Sequence, residues 1–187
     1  MNFAIAILVA INFVFLCAIL IFNIMMYRSK VLDLHIAMMI PQLTVNAREP
    51  GIVQIGDTFT FADRQVTVML RNKNITYPAE YVGEYIVVGK NGDTSECMLN
   101  GMIRLLPTSS QQDDHPDSMF FIKGVTRRDI ITDAKNNIIR NDLVSTSVSV
   151  SGGSGIFHGA SGTWSPTQVN SSEEHAKIIA NVRITLY

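Results

Sequence analysis

The chain has 187 residues with 16 acidic and 15 basic side chains, enough for one domain plus an appendage. Its net charge of −1 excludes the basic excess or stripe of a nucleic-acid binder. Two cysteines, Cys17 inside an apolar run and Cys97 far downstream, exclude a disulfide framework.

Hydrophobic residues make up 47% of the chain, and the excess lies at the N-terminus. Residues 3–27 read FAIAILVAINFVFLCAILIFNIMMY, without a charge. A bilayer core takes about 20 such residues in a helix. A secretory signal would need a basic start, a shorter apolar core and a small-residue cleavage site, none of which is present. A buried core helix is the plainer alternative. The expectation is a retained single-pass transmembrane anchor within 1–30, contacting the lipid bilayer through residues 3–27. Arg28 and Lys30 follow the run and no Lys or Arg precedes it, so the positive-inside bias places the rest on the cytoplasmic side. The sequons at Asn74 and Asn170 would then be silent.

From residue 31 the pattern changes to short alternating runs bounded by Gly, Pro, Asn and Asp, which are strand signals. VLDLHIAMM sets Leu32, Leu34 and Ile36 against Asp33 and His35. PQLTVNAREPG, at 41–51, reads as a loop. QVTVML places Val66, Val68 and Leu70 on one face. YVGEYIVVG and CMLNGMIRLL follow, joined by KNGDT at 90–94, an Asn-Gly hairpin signal. A polar loop at 107–118 precedes SMFFIKGV. LVSTSVSV sets Val144, Val148 and Val150 opposite Ser145, Ser147 and Ser149. The C-terminal AKIIANVRITLY puts Ala176, Ile178, Ala180, Val182, Ile184 and Leu186 on one face. About seven to nine one-sided strands predict an antiparallel barrel or sandwich, because open sheet edges invite aggregation.

Between the last two runs lies VSVSGGSGIFHGASGTW, residues 148–164. Its glycines miss the dinucleotide fingerprint, since the third glycine position holds His158 and no helix start follows. It lacks the G-K-[ST] of a P-loop, and neither Ser154 nor Ser161 is framed as a nucleophile elbow. Glycine tolerates positive φ and close backbone approach, so GGSG and ASG read as two tight turns framing a buried Phe157.

The same segment resembles the G-G-[ST]-G-x-F-x-G-x-x-G signature of allene oxide cyclases and the related dirigent proteins. KVLDLHIAMMI, IGDTFTFADRQV and YVGEYIVVGKNGDTSECMLNGMIRL are similar to the first strand, the following segment and the central hairpin of that frame. The resemblance spans about residues 31–187 and implies a small eight-stranded antiparallel β-barrel. The cyclases carry Glu after Phe where this chain has His158, so the fold is implied and the reaction is not. Glu84 and Cys97 sit in the central hairpin but match no transferable catalytic motif.

Other candidates read as scaffold. Asp113, Asp114, His115 and Asp117 lack EF-hand spacing and a second ligand segment. His35, His158 and His175 are scattered among different strands without ligand partners. Trp164, just after a turn, reads as core or rim packing, and Glu173, Glu174 and His175 as a polar strand entry. The sequence therefore nominates no catalytic, cofactor-binding or metal-ligating residue. The expected function is a non-enzymatic structural or interaction module: a membrane-anchored β-barrel contacting other proteins of an assembly. A minor capsid protein of a virion with an internal membrane, or an accessory subunit of a membrane complex, would suit it; a homo-oligomer is a further expectation. The alternative is a lipid-binding protein, or an allene-oxide-cyclase-like isomerase acting on a fatty-acid-derived ligand in the lumen. That alternative needs an open apolar cavity with convergent polar groups.

Overall fold

A computed structural model describes residues 13–21, 30–39, 43–107, 118–169 and 177–186. Nine strands follow in order among them: β1 (Lys30–Met39), β2 (Leu43–Asn46), β3 (Thr58–Leu70), β4 (Ile75–Asn91), β5 (Thr94–Leu105), β6 (Met119–Thr132), β7 (Ile138–Ser154), β8 (Ser161–Val169) and β9 (Lys177–Leu186). They form one sheet in the order β1-β9-β8-β7-β6-β5-β4-β3-β2. A further antiparallel pairing, Leu34↔Leu70 to Ala37↔Thr67, joins β1 to β3 and closes eight strands into a barrel. The first half of β3 pairs instead with the short β2, from Leu43↔Phe61 to Asn46↔Thr58. LTVN, expected inside a loop, is therefore a strand, recruited because β3 outruns its partner β1.

The inward faces follow the two-residue period of a pleated strand. Leu32, Leu34, Ile36 and Met38 point inward from β1, Val66, Val68 and Leu70 from β3, and Ile178, Ala180, Val182 and Ile184 from β9. Ala176 lies outside the described residues. The β4–β5 turn has Gly92 at φ +62° and pairs Asn91 with Thr94. Positive φ at the first central residue alone is the II′ pattern, so the glycine rather than the Asn-Gly pair directs this hairpin. In the loop before β3, the buried Asp57 carboxylate accepts the Arg48 and Gln54 amide N–H groups at 3.1 and 2.7 Å.

The N-terminal expectation is corrected. Most of residues 3–27 lies outside the described residues, and the described helix covers 13–21. Among the described residues no helix is long and apolar enough to cross a membrane, so the expected single-pass membrane localisation does not stand. Residues Val31–Leu186 form one compact unit by themselves.

Candidate functional site

The glycine segment seals one end of the barrel. Strand β7 runs through Ser154, and Gly155–Phe157 form a single 3₁₀ turn. Gly155 has φ +59° and lies against Ser118, so a side chain there would be both strained and obstructed. The Ser118 hydroxyl accepts the Ile156 N–H at 3.1 Å. Phe157 is thereby driven inward, fully buried and edge-on to Phe120 at 4.9 Å. His158 follows at the exposed turn, its N–H donated to the Gly155 carbonyl at 3.2 Å.

Further along the lumen stands an aromatic cluster. Phe61 lies 4.4 Å from Tyr81 and 5.1 Å from Tyr85, and Tyr81 lies 6.4 Å from Trp164. Inward-facing glycines make room for these rings. A Cβ at Gly83 would stand 2.7 Å from the tip of Phe61, and one at Gly101 would stand 2.9 Å from the Tyr81 ring.

Beyond the rings lies Arg128, 2% exposed, on the inner face of β6. Its Nε donates to Asn141 Oδ1 at 2.7 Å, Nη2 to the Asn141 carbonyl at 3.5 Å and Nη1 to the Tyr85 hydroxyl at 3.5 Å. The guanidinium carbon also lies 5.0 Å from the Tyr85 ring centre, a cation–π distance. Every one of these partners is neutral. Other arginines pair with carboxylates, as Arg104 does with Glu80 at 2.6 Å and Arg140 with Asp142 at 2.7 Å. Arg128 forms no ion pair with a described carboxylate.

A small cavity of about 20 Å³ meets this residue. Arg128, Thr126, Tyr81 and Tyr85 line it, with Trp164, Met38 and Leu99. Leu143 and Thr146 of β7, Pro166 of β8 and Ile178 of β9 complete its wall. These two strands pair only from Val148↔Trp164 to Ser151↔Ser161, then run on unpaired. Farther along, a side chain bridges them: Gln168 accepts the Leu143 N–H at 2.8 Å and donates to Asp142 at 3.0 Å. The cavity therefore lies where the β7–β8 seam parts.

Burial dominates the electrostatics. It pushes the Tyr81 phenol well above its usual range, with Tyr85 adding and Arg128 opposing. It also pushes the Cys97 thiol up to about 11, against the pull of Arg128. Such a thiol is inert at neutral pH, because the thiolate is the nucleophile.

The residues weighed in the sequence are not brought together. Glu84 lies on the outer face of β4, where the Asn100 amide reaches it at 3.4 Å, while Cys97 points inward. His35 lies outside the barrel, within 3.3 Å of Asn181 and 3.4 Å of Arg71. Asp113, Asp114, His115, Asp117, Glu173, Glu174 and His175 lie outside the described residues. Among the described residues no group of three His, Cys, Asp or Glu could hold a metal ion. Trp164 does pack in the core, as expected, and also lines the cavity. Arg128 is half of a short basic pair, RR at 127–128, that composition alone reads as surface charge, but the strand's phase carries a signal. Counting by twos from Phe120 through Ile122, Gly124 and Thr126 lands on Arg128, placing a charge on a buried face.

No protein-family model matches this sequence, and no curated protein matches it. Two solved structures are similar in fold, both pterocarpan synthase dirigent proteins. PsPTS1 aligns with a TM-score of 0.51 at 12% identity, over 86% of this chain and 97% of its own. GePTS1 aligns with a TM-score of 0.51 at 13% identity, over 86% of this chain and 91% of its own. The likeness establishes a dirigent-like, eight-stranded antiparallel barrel.

Proposed function

We propose that this barrel is a non-catalytic interaction module that pairs with a second copy of itself through the outer face of β4, β5 and β6. The small cavity at Arg128 and the rings packed beside it support the first half of this reading. A site for a drug-sized or fatty-acid ligand offers about 300–1,000 Å³ of pocket, whereas the cavity here is about 20 Å³. A fatty-acid body has no room beside Phe61, Tyr81, Tyr85 and Trp164. The similar structures are named as synthase proteins, but at this identity only their fold transfers.

The observation that carries the second half is the outer surface itself. Three neighbouring rows cross the strands in register: Val82–Met102–Phe121, Glu84–Asn100–Lys123 and Ile86–Met98–Val125. Two apolar rows thus flank a polar one with opposite charges at its ends. Met98 is 37% exposed and Phe121 is 43% exposed, on a wall that no described element covers. In a twofold pair each patch contacts its own copy. An axis along β5 sets Glu84 of each copy opposite the other's Lys123 and stacks the methionines on one another.

Sedimentation equilibrium of the full chain tests this. The expected result is a dimer that Met98→Glu weakens at least about tenfold, since a buried unpaired carboxylate is costly. Lys123→Glu weakens it as well, and the double exchange Glu84→Lys with Lys123→Glu restores it. A monomer across the accessible concentration range, or a dimer indifferent to all three variants, contradicts the reading.

A further inference from the structure

We propose that Arg128 and the adjoining cavity form a binding site for the head group of a short monocarboxylate, entering where β7 and β8 part. The inference is independent of the outer face and rests on a buried guanidinium with no described carboxylate within ion-pair distance; Asp142 feels its charge but is held by Arg140 and Gln168. Burying an ion without a counter-ion is strongly unfavourable, and neutral hydrogen-bond partners offset only part of that cost. Asn141 and Tyr85 satisfy N–H groups of Arg128 but bring no negative charge. No described residue supplies one within ion-pair distance, while five other arginines (Arg64, Arg104, Arg127, Arg140 and Arg183) do find carboxylates. An apolar side chain of similar volume would pack this position at lower cost. A site that keeps an arginine instead holds a preformed cation facing a cavity.

Size and shape choose the anion. A cavity of about 20 Å³ admits one small polar group; about 10–15 Å³ already admits a water. A planar carboxylate matches the guanidinium fork, with two oxygens able to take two N–H groups. Apart from Thr126 and Thr146 the rest of the wall is apolar or aromatic: Trp164, Leu99 and Met38 face the cavity, and Leu143 and Pro166 stand at the seam. A short hydrocarbon tail would extend from the cavity along the seam at Leu143 and Pro166, whereas the solvation shell of a phosphate dianion does not fit. Asn141 fixes the guanidinium from the side away from the rings through two atoms, so Nη1, held only by a 3.5 Å contact to Tyr85, is the group most readily redirected to a ligand.

The chain carries a single tryptophan, Trp164, and it lines the cavity, so its emission reports on the site directly. The full chain is titrated with acetate and propionate at constant ionic strength, chloride serving as the control anion. The expected result is a saturable change in Trp164 emission with either carboxylate, with a matching rise in melting temperature. Arg128→Met should weaken the response at least about tenfold, the loss of one charge-assisted contact. Without ligand it should melt at or above the wild-type temperature, because a buried uncompensated charge has been removed. No saturable response of the wild type overturns the proposal, as does an equal response to chloride. If Arg128→Met melts well below wild type or fails to fold, the guanidinium is a structural tie between β4, β6 and β7, and the proposal also falls.

Discussion

Phe157 is held by a single turn of backbone: Gly155 gives the chain its left-handed step, Ser118 receives the Ile156 N–H, and the ring lands against Phe120. Phe157→Ala should cost about 3–5 kcal/mol in urea denaturation, the range for a buried aromatic truncated without collapse of its site. A loss below about 1 kcal/mol would mean that the seal is not part of the core. Cys97 gives a second expectation, with a definite sign. Its folded-state thiol titrates near 11, above the usual ~8.5 of a free thiol. Between these values the unfolded chain has lost the proton and the folded chain has kept it, so stability falls as pH rises from about 9 to 11. Tyr81, also shifted upward, acts in the same direction at the alkaline end. Melting curves across that window should decline, and Cys97→Ala should shallow the slope; an unchanged slope would contradict the assignment. At this scale the buried Phe157 was legible because glycines bracket it. The role of Arg128 was hidden, since RR at 127–128 reads as surface charge until the strand's phase is counted from Phe120.

Strand β7 shows how one extra residue rearranges a face. Alternation over LVSTSVSV puts Val144, Val148 and Val150 together, yet Val144 is 53% exposed and Val148 only 7%. The β6–β7 register moves from Arg127↔Ser145 to Arg128↔Leu143, leaving Val144 as the unpaired residue of a bulge. Val144→Lys should therefore change stability by no more than about 0.5 kcal/mol. Val148→Lys, by contrast, should prevent folding, because it puts a charge in the lumen. Equal damage from both, read by urea denaturation, would restore the unbroken alternation. Strand β8 was the least legible element. SGTWSPTQV contains a glycine and a proline, and its pairing partners, β7 and β9, lie at long or loop-interrupted separations that no local pattern encodes. Pro166 is accommodated because β8 has already left β7 there, with Ala180 of β9 as its remaining partner. Strand β4 begins at Ile75, before the expected YVGEYIVVG, and carries Pro78 through pairing with Thr67 of β3.

For the whole molecule, strand count and handedness of burial were legible and closure was not. The inward runs of β1, β3 and β9 were visible as alternation, and the glycine signature pointed to an eight-stranded barrel. Closure depends on β1 meeting β3 rather than a sequence neighbour, a long-range choice that leaves β2 as an extra edge. The apolar N-terminal run misled in a specific way. Its composition satisfies the length rule for a membrane span, but among the described residues no helix is long and apolar enough to cross a membrane. The central claim is that the lumen is packed core with room for one small anionic group, and that interaction lies outside. A titration of the full chain with cis-parinaric acid, a fluorescent fatty acid, tests it most directly. The expected result is no saturable one-to-one binding and no energy transfer from Trp164. Stoichiometric uptake that quenches Trp164 would contradict it, because a fatty-acid chain would then occupy space now held by Phe61, Tyr81, Tyr85 and Trp164.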